Sequence, residues 1–216
     1  MVFSILPDSW FMRIYERETD ERVRRNPRLA SGLPDEVISR HVIRYALQAG
    51  LQEHHSVLDF GCGTMRTGQH LIRYLHPRKY FGVDISHGAI RYSQEVISES
   101  EELRAKKPRV MHVGSDEELP DSTPRPDFIL AHSVFTHLPR GQFRRNLAKL
   151  GNVMGNDTIL AFTIFEGRDG SRKSYRSFQY RVDTVVAIGR ELGLDLHVMP
   201  GEWHPTQTVI VGRLAT

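Results

Sequence analysis

Residues 57–68 read Val57-Leu58-Asp59-Phe60-Gly61-Cys62-Gly63-Thr64-Met65-Arg66-Thr67-Gly68. An apolar run enters a Gly-x-Gly turn and leaves it in a helical stretch. Glycine reaches positive φ without a Cβ clash and lets a ligand approach the backbone closely. The start of the following helix offers N–H groups with no partner of their own. At the carboxyl end of a first strand, such a turn binds a nucleotide-like or carboxylate-bearing ligand. A tight strand–helix turn that only needs small residues for packing would look the same. A dinucleotide fingerprint requires a third glycine where Arg66 stands.

Outward from this turn, short β-type runs alternate with helical stretches. The apolar runs are Val57–Phe60, Tyr80–Val83, Val110–Val113, Phe128–Ala131, Thr158–Phe165, Leu194–Met199 and Thr208–Val211. Helical segments fit at Gln69–Leu75, Gly88–Leu103, Arg140–Leu150 and Arg181–Leu192. This alternation predicts a largely parallel sheet covered by helices on both faces. Only Pro200–Thr206 separates the last two runs, which leaves no room for a helix and predicts an antiparallel hairpin.

Upstream, the spacing predicts a charged helix over Ser9–Arg25 and a second over Asp35–Ala49, with breaks at Asn26-Pro27 and Ser31–Pro34. Pro34 and Asp35 suit a first turn and Gly50 suits a stop. Val37, Ile38, His41, Val42, Tyr45 and Ala46 share one face of the second helix, which should pack on the core. The expected organisation is one domain over 1–216: a helical N-terminal cap at 1–50 and an α/β core at 51–216.

Composition limits the function classes. Among 216 residues, 39% are hydrophobic and 25% charged, as in a folded globular protein rather than a disordered one. There is no run of 18 apolar residues, so no membrane span is expected, and the opening MVFSILPDSWF lacks a basic leader. The one cysteine, Cys62, excludes intramolecular disulfides and Cys-rich zinc sites, and it fits a reducing, cytoplasmic setting. A net charge of +3 names no partner.

Three further stretches carry chemistry. Tyr80-Phe81-Gly82-Val83-Asp84-Ile85-Ser86 places an acid at a strand end, 25 residues after Asp59. A carboxylate there can accept two hydrogen bonds from a ribose diol, or cap the helix that follows. Val113-Gly114-Ser115-Asp116-Glu117-Glu118 is an acidic loop after the third strand. Ala131-His132-Ser133-Val134-Phe135-Thr136-His137-Leu138-Pro139 follows the fourth.

VLDFGCG resembles motif I of the class I S-adenosylmethionine-dependent methyltransferases, and GVDIS, the Gly114–Glu118 loop and PDFIL…S.V..HL resemble their next three motifs, in order, over residues 57–139. The resemblance implies a Rossmann-like, seven-stranded, mostly parallel sheet with an antiparallel C-terminal hairpin. It implies S-adenosylmethionine as cofactor. Asp59, Phe60, Gly61, Cys62 and Gly63 would lie against its methionine end, Asp84 would hold the ribose, and Ile85 would flank the adenine. Asp116, or Glu117 after it, would accept from the adenine amine. His132 and Ser133 would sit beside the methionine portion, with Phe135 and His137 near the acceptor. The family's commonest motif has glycine where Met65 stands, so Met65 would press on the cofactor or pack beneath it.

The acceptor is read mainly by elimination. The Asn/Asp-Pro-Pro-aromatic motif of amine methylation is missing, as are the Pro-Cys pair of cytosine methylation, the paired-glutamate loop of arginine methylation and the acid cluster of metal-dependent catechol sites. A small-molecule or glycan acceptor remains, most simply methylated at oxygen, with no metal. A histidine suits removal of a hydroxyl proton. His137 leads, ahead of His132 and His204, although it could merely cap or pack the loop before Pro139. FTIFEG and SVFTHLP also resemble bacterial methyltransferases of natural-product and surface-glycan pathways.

Charge adds a clue. Arg140, Arg144, Arg145 and Lys149 form one basic run, of which Arg144 and Lys149 are expected on a solvated helix face. Arg168, Arg172, Lys173, Arg176 and Arg181 form another, with Tyr175, Phe178 and Tyr180 interleaved, in the expected acceptor loop at 166–180. That loop suits an anionic or phosphorylated acceptor, or nucleic acid, and equally a plain solvated surface. Tyr15 or Arg40 of the cap would touch the cofactor or the acceptor. The competing readings are an RNA-modifying methyltransferase that uses its basic loops as a phosphate track, and a cofactor-binding protein without turnover.

Overall fold

The computed structural model describes residues 8–27 and 35–215. The elements are α1 (Asp8–Arg25), α2 (Asp35–Gln48), β1 (Val57–Phe60), α3 (Gly68–Tyr74), β2 (Tyr80–Asp84), α4 (His87–Glu99), α5 (Glu101–Ala105), β3 (Arg109–His112), β4 (Phe128–Ala131), α6 (Arg140–Val153), β5 (Ile159–Glu166), β6 (Arg172–Ser174), β7 (Ser177–Tyr180), α7 (Val182–Glu191), β8 (Leu194–Val198) and β9 (Thr208–Leu214). A single 3-10 turn spans Phe135–His137.

The sheet core runs β3-β2-β1-β4-β5, all parallel, and continues through antiparallel β9 to β8. These are the seven strands anticipated from the sequence, and the last two form the expected antiparallel pair. Strand order reverses between β1 and β4, so a crevice opens at their carboxyl ends, where open α/β sheets bind ligands. β1 and β4 are buried along their whole length because helices cover both faces.

Two expectations need correction. The helix predicted over Gly88–Leu103 breaks at Ser100, whose ψ of 115° is extended. Its hydroxyl accepts from Leu103 N at 3.3 Å, starting a new short helix that buries Leu103. The loop expected at 166–180 instead contains the hairpin β6–β7, in which Ser174 faces Ser177 across a turn made by Tyr175 and Arg176. Alternation fixes it: Phe178 and Tyr180 point into the core, and Tyr180 Oη donates to Leu138 O at 2.7 Å.

Phe135, Phe143, Phe162 and Tyr180 form an aromatic nucleus with neighbouring rings 4.7 Å apart. Each such contact adds about 0.5–1.5 kcal/mol beyond area burial. The nucleus anchors the segment from β4 to α6, and His137 with it.

α1 crosses the carboxyl edge of the sheet. Phe11 packs edge-on against Phe178 at 5.2 Å, and Asp20 Oδ1 accepts from Ser86 Oγ (2.6 Å) and Gly88 N (2.9 Å) at the start of α4. Val42, Tyr45 and Ala46 of α2 are buried as expected, and Gly50, at φ 107°, ends the helix. The side chains of Val37 and Ile38 and the break at Ser31–Pro34 lie outside the described residues.

Candidate functional site

A cavity of about 510 Å³ occupies the crevice beneath α1 and the β6–β7 hairpin. Its floor is the turn after β1. Gly61 and Gly63 have φ of 81° and 56°, and Gly61 N and Cys62 N both donate to Val83 O. A Cβ added at Gly61 would stand 2.3 Å from Val134 Cγ2, so the packed Val134 side chain and the positive φ together favour glycine there. At Gly63 the added atom would meet nothing within 4 Å, because that side of the backbone borders open space.

Asp84 ties this turn to the end of β2. Its Oδ2 accepts from Gly63 N at 2.9 Å and its Oδ1 from Ser86 N at 2.8 Å. Burial raises its pKa, while the two backbone donors pull it back. Asp59, deeper in β1, accepts from Tyr80 Oη at 2.7 Å; burial pushes its carboxyl up to about 7 despite that bond.

His132 and Ser133 stand at the end of β4. Ser133 takes φ 56°, held by its N–H donating to Thr163 Oγ1 (2.8 Å) and by Gln207 Nε2 donating to its hydroxyl (2.7 Å). His132 Nδ1 lies 3.2 Å from Tyr45 Oη, and burial, with His204 and Arg66 nearby, drops its pKa to about 3. His137 Nδ1 lies 2.7 Å from the Arg176 carbonyl. A carbonyl only accepts, so Nδ1 carries the proton and Nε2 keeps the lone pair. Burial is the main cause that lowers its pKa to about 4. The imidazole is therefore neutral at physiological pH.

Asp59, Phe60, Gly61, Cys62, Gly63, Asp84, Ile85, His132, Ser133 and His137 all line this one cavity. Asp116 and Glu117 do not. Both are exposed: Asp116 pairs with Arg145 at 2.6 Å, and Glu117 Oε2 accepts from Gly114 N at 2.8 Å. Gly114 and Ser115 line the cavity in their place. Met65 lies beneath the turn, fully buried, with Sδ 3.7 Å from Tyr80 Oη. Its φ of 64° explains why a glycine is at home in that position. Tyr15 lines the cavity and Arg40 does not.

The basic residues divide sharply. Arg144 is exposed as expected, but Lys149 is 3% exposed and its ammonium donates to the Ser115 and Glu117 carbonyls, bracing the third-strand loop. Of the second group, Arg168, Lys173 and Arg181 are exposed, whereas Arg176 is buried in the cavity wall. Sequence reading missed Thr19, Arg22 and Gln207, which line the cavity. Each enters through a tertiary contact without a local motif.

Residues 58–160 match the family model described as a methyltransferase domain. No curated protein matches the chain. The fold is similar to magnesium protoporphyrin IX methyltransferase of Synechocystis PCC 6803 with bound S-adenosylmethionine (15% identity, 98% and 99% of the two chains covered, TM-score 0.69). It is also similar to 1,6-didemethyltoxoflavin-N1-methyltransferase of Burkholderia thailandensis (13%, 98% and 92%, 0.74) and to the glycopeptide N-methyltransferase MtfA (10%, 82% and 90%, 0.67). At these identities the likeness is one of fold.

Sheet order and cavity define a Rossmann-like fold of the kind methyltransferases use, with a methyltransferase-domain match at residues 58–160. The similar fold carries bound S-adenosylmethionine in the Synechocystis enzyme. The cavity fits that group, with a glycine turn bordering open space, a carboxylate at the end of β2 and room for a nucleoside with an amino-acid arm.

Proposed function

We propose that this protein methylates a hydroxyl oxygen of a small-molecule or sugar acceptor. The observation that carries this reading is the shared cavity. The glycine turn, Asp84 and a neutral His137 with a fixed tautomer all face one space, covered by α1 and the β6–β7 hairpin.

The bound cofactor supplies an electrophilic methyl on a sulfonium sulfur. The chain's own residues do the rest. Gly61, Cys62 and Gly63 present backbone, Asp59 and Phe60 close the floor, and Asp84 with Ile85 holds the nucleoside portion. His132 and Ser133, fixed by Tyr45 and Gln207, line the end of β4 beside the methionine portion. His137 Nε2 accepts the acceptor's hydroxyl proton, and the Nδ1–H bond to the Arg176 carbonyl keeps that nitrogen available. Alignment of acceptor oxygen and methyl carbon at about 3–3.5 Å supplies most of the rate.

In this reading residues 1–50 and 51–216 work as cap and core of one domain, because α1 and α2 both contribute cavity or core side chains. Cys62, buried in the cofactor turn, fits a reducing, cytoplasmic setting. No helix among the described residues is long and apolar enough to cross a membrane.

The test is methyl transfer from labelled S-adenosylmethionine to a panel of hydroxylated metabolites and sugars, with amines and RNA alongside. Label on an oxygen, lost in His137→Gln, supports the reading. Label only on nitrogen or RNA overturns the oxygen assignment.

A further inference from the structure

Arg176 stands at the turn of the β6–β7 hairpin, 8% exposed, with its guanidinium in the cavity wall. Nη2 donates to Thr19 Oγ1 at 2.7 Å, and Cζ lies 4.3 Å over the Tyr15 ring. The nearest carboxylate, Glu18, is 3.7 Å from Nε, outside hydrogen-bond distance and itself partly exposed. Nη1 is buried and has no partner among the described residues.

A guanidinium out of water with an unused N–H is costly, and the cost falls when an anion takes that donor. Arg22 lines the same space and donates to Tyr175 Oη at 2.9 Å, which holds a second cation at the mouth. Tyr15 packs between the two site groups, its ring 5.2 Å from that of His137 and beneath Arg176. The Arg176 backbone carbonyl in turn fixes His137. One residue therefore offers a charged donor to the cavity and orients the proposed base.

We propose that Arg176, supported by Arg22, binds an anionic group of the methyl acceptor, a carboxylate or a phosphate, so that the substrate is a hydroxylated acid. The assignment rests on reading this cavity as the methyl-transfer site. Arg66, beside His132 at the turn after β1, provides a separate cation at the cofactor end. Arg176 belongs instead to the side framed by His137 and the hairpin.

The anion has a second effect. After burial, the charges of Arg176 and Arg22 help hold His137 low. An anion seated against the Arg176 guanidinium offsets those charges, so His137 becomes a stronger base when the acceptor is bound.

Calorimetric titration of benzoate and of inorganic phosphate into the full chain saturated with S-adenosylhomocysteine tests the proposal. We expect at least one anion to bind. Arg176→Gln should weaken it about tenfold or more, and the exposed Arg22→Gln about threefold, with S-adenosylhomocysteine affinity retained in both. The proposal is overturned if neither anion binds, if both variants bind as tightly as the parent, or if Arg176→Gln loses S-adenosylhomocysteine instead. Should Arg176→Gln fail to fold, Arg22→Gln decides. Should S-adenosylhomocysteine itself fail to bind, the cofactor reading falls, while the anion titration on the unliganded chain still decides the subsite.

Discussion

Tyr80 Oη donates to Asp59 Oδ2 at 2.7 Å, joining the first residue of β2 to the third of β1 beneath the cofactor turn. Burial raises Asp59 from 3.8 to about 7, the Tyr80 bond opposes that rise, and Asp84 adds to it. A carboxyl whose folded pKa is raised binds its proton more tightly folded than unfolded. Its stability penalty is therefore absent below about pH 4, grows as pH rises toward 7, and is complete above it. At about 1.4 kcal/mol per unit the penalty reaches roughly 4 kcal/mol as an upper bound. Asp59→Asn, which still accepts from Tyr80, should raise the melting temperature at pH 8 and change it little at pH 4. Thermal unfolding of both proteins across that range checks this. An equal difference at both pH values contradicts it.

His137 should stay neutral through the physiological range. With the pKa lowered to about 4 by burial and neighbouring cations, its ring carbon proton should show no titration between pH 5.5 and 8 in the unliganded protein. Histidine NMR, with His137→Gln to assign the resonance, reads this directly. A midpoint near 6.5 would contradict the burial seen around the ring.

Replacement of that histidine should separate chemistry from cofactor binding. His137→Gln should cut turnover by about 100-fold or more, within the range for loss of a general base, and leave S-adenosylhomocysteine affinity unchanged. Turnover within a fewfold of the parent would reduce His137 to a packing residue.

Met65 sets strain against packing. Its φ of 64° costs about 1–2 kcal/mol in a non-glycine residue, whereas removing a fully buried methionine side chain costs about 2–5 kcal/mol. Packing wins. Met65→Gly should lower stability by up to roughly 4 kcal/mol in urea unfolding, the difference of those two ranges, although it restores the family's usual residue. A gain in stability would show that strain dominates.

The parts of this fold legible in the sequence are those with local signals. Apolar runs and intervening helical spacing predicted the seven core strands, and glycines with strand-end acids pointed to the edge where the cavity lies. Two features escaped for physical reasons. Ser100 reads as a helix interior until its hydroxyl is seen capping Leu103, and β6–β7 is too short and too charged to read as strands before Phe178 and Tyr180 find the core. Asp116 and Glu117 show the limit of motif alignment: a loop position implied by resemblance points to Arg145 and to Gly114 rather than into the cavity. Arg176 was one of five basic residues in its segment, and only the hairpin's geometry distinguishes it.

The central claim is that the crevice at the carboxyl ends of β1 and β4 holds the cofactor through Asp84 at the end of β2, and calorimetry with S-adenosylhomocysteine tests it most directly. The account predicts binding to the parent chain and a loss of about tenfold or more in Asp84→Ala, which strands the Gly63 and Ser86 N–H groups and removes the nucleoside's acceptor. No binding to the parent, or the same affinity in Asp84→Ala while the variant remains folded, would contradict it.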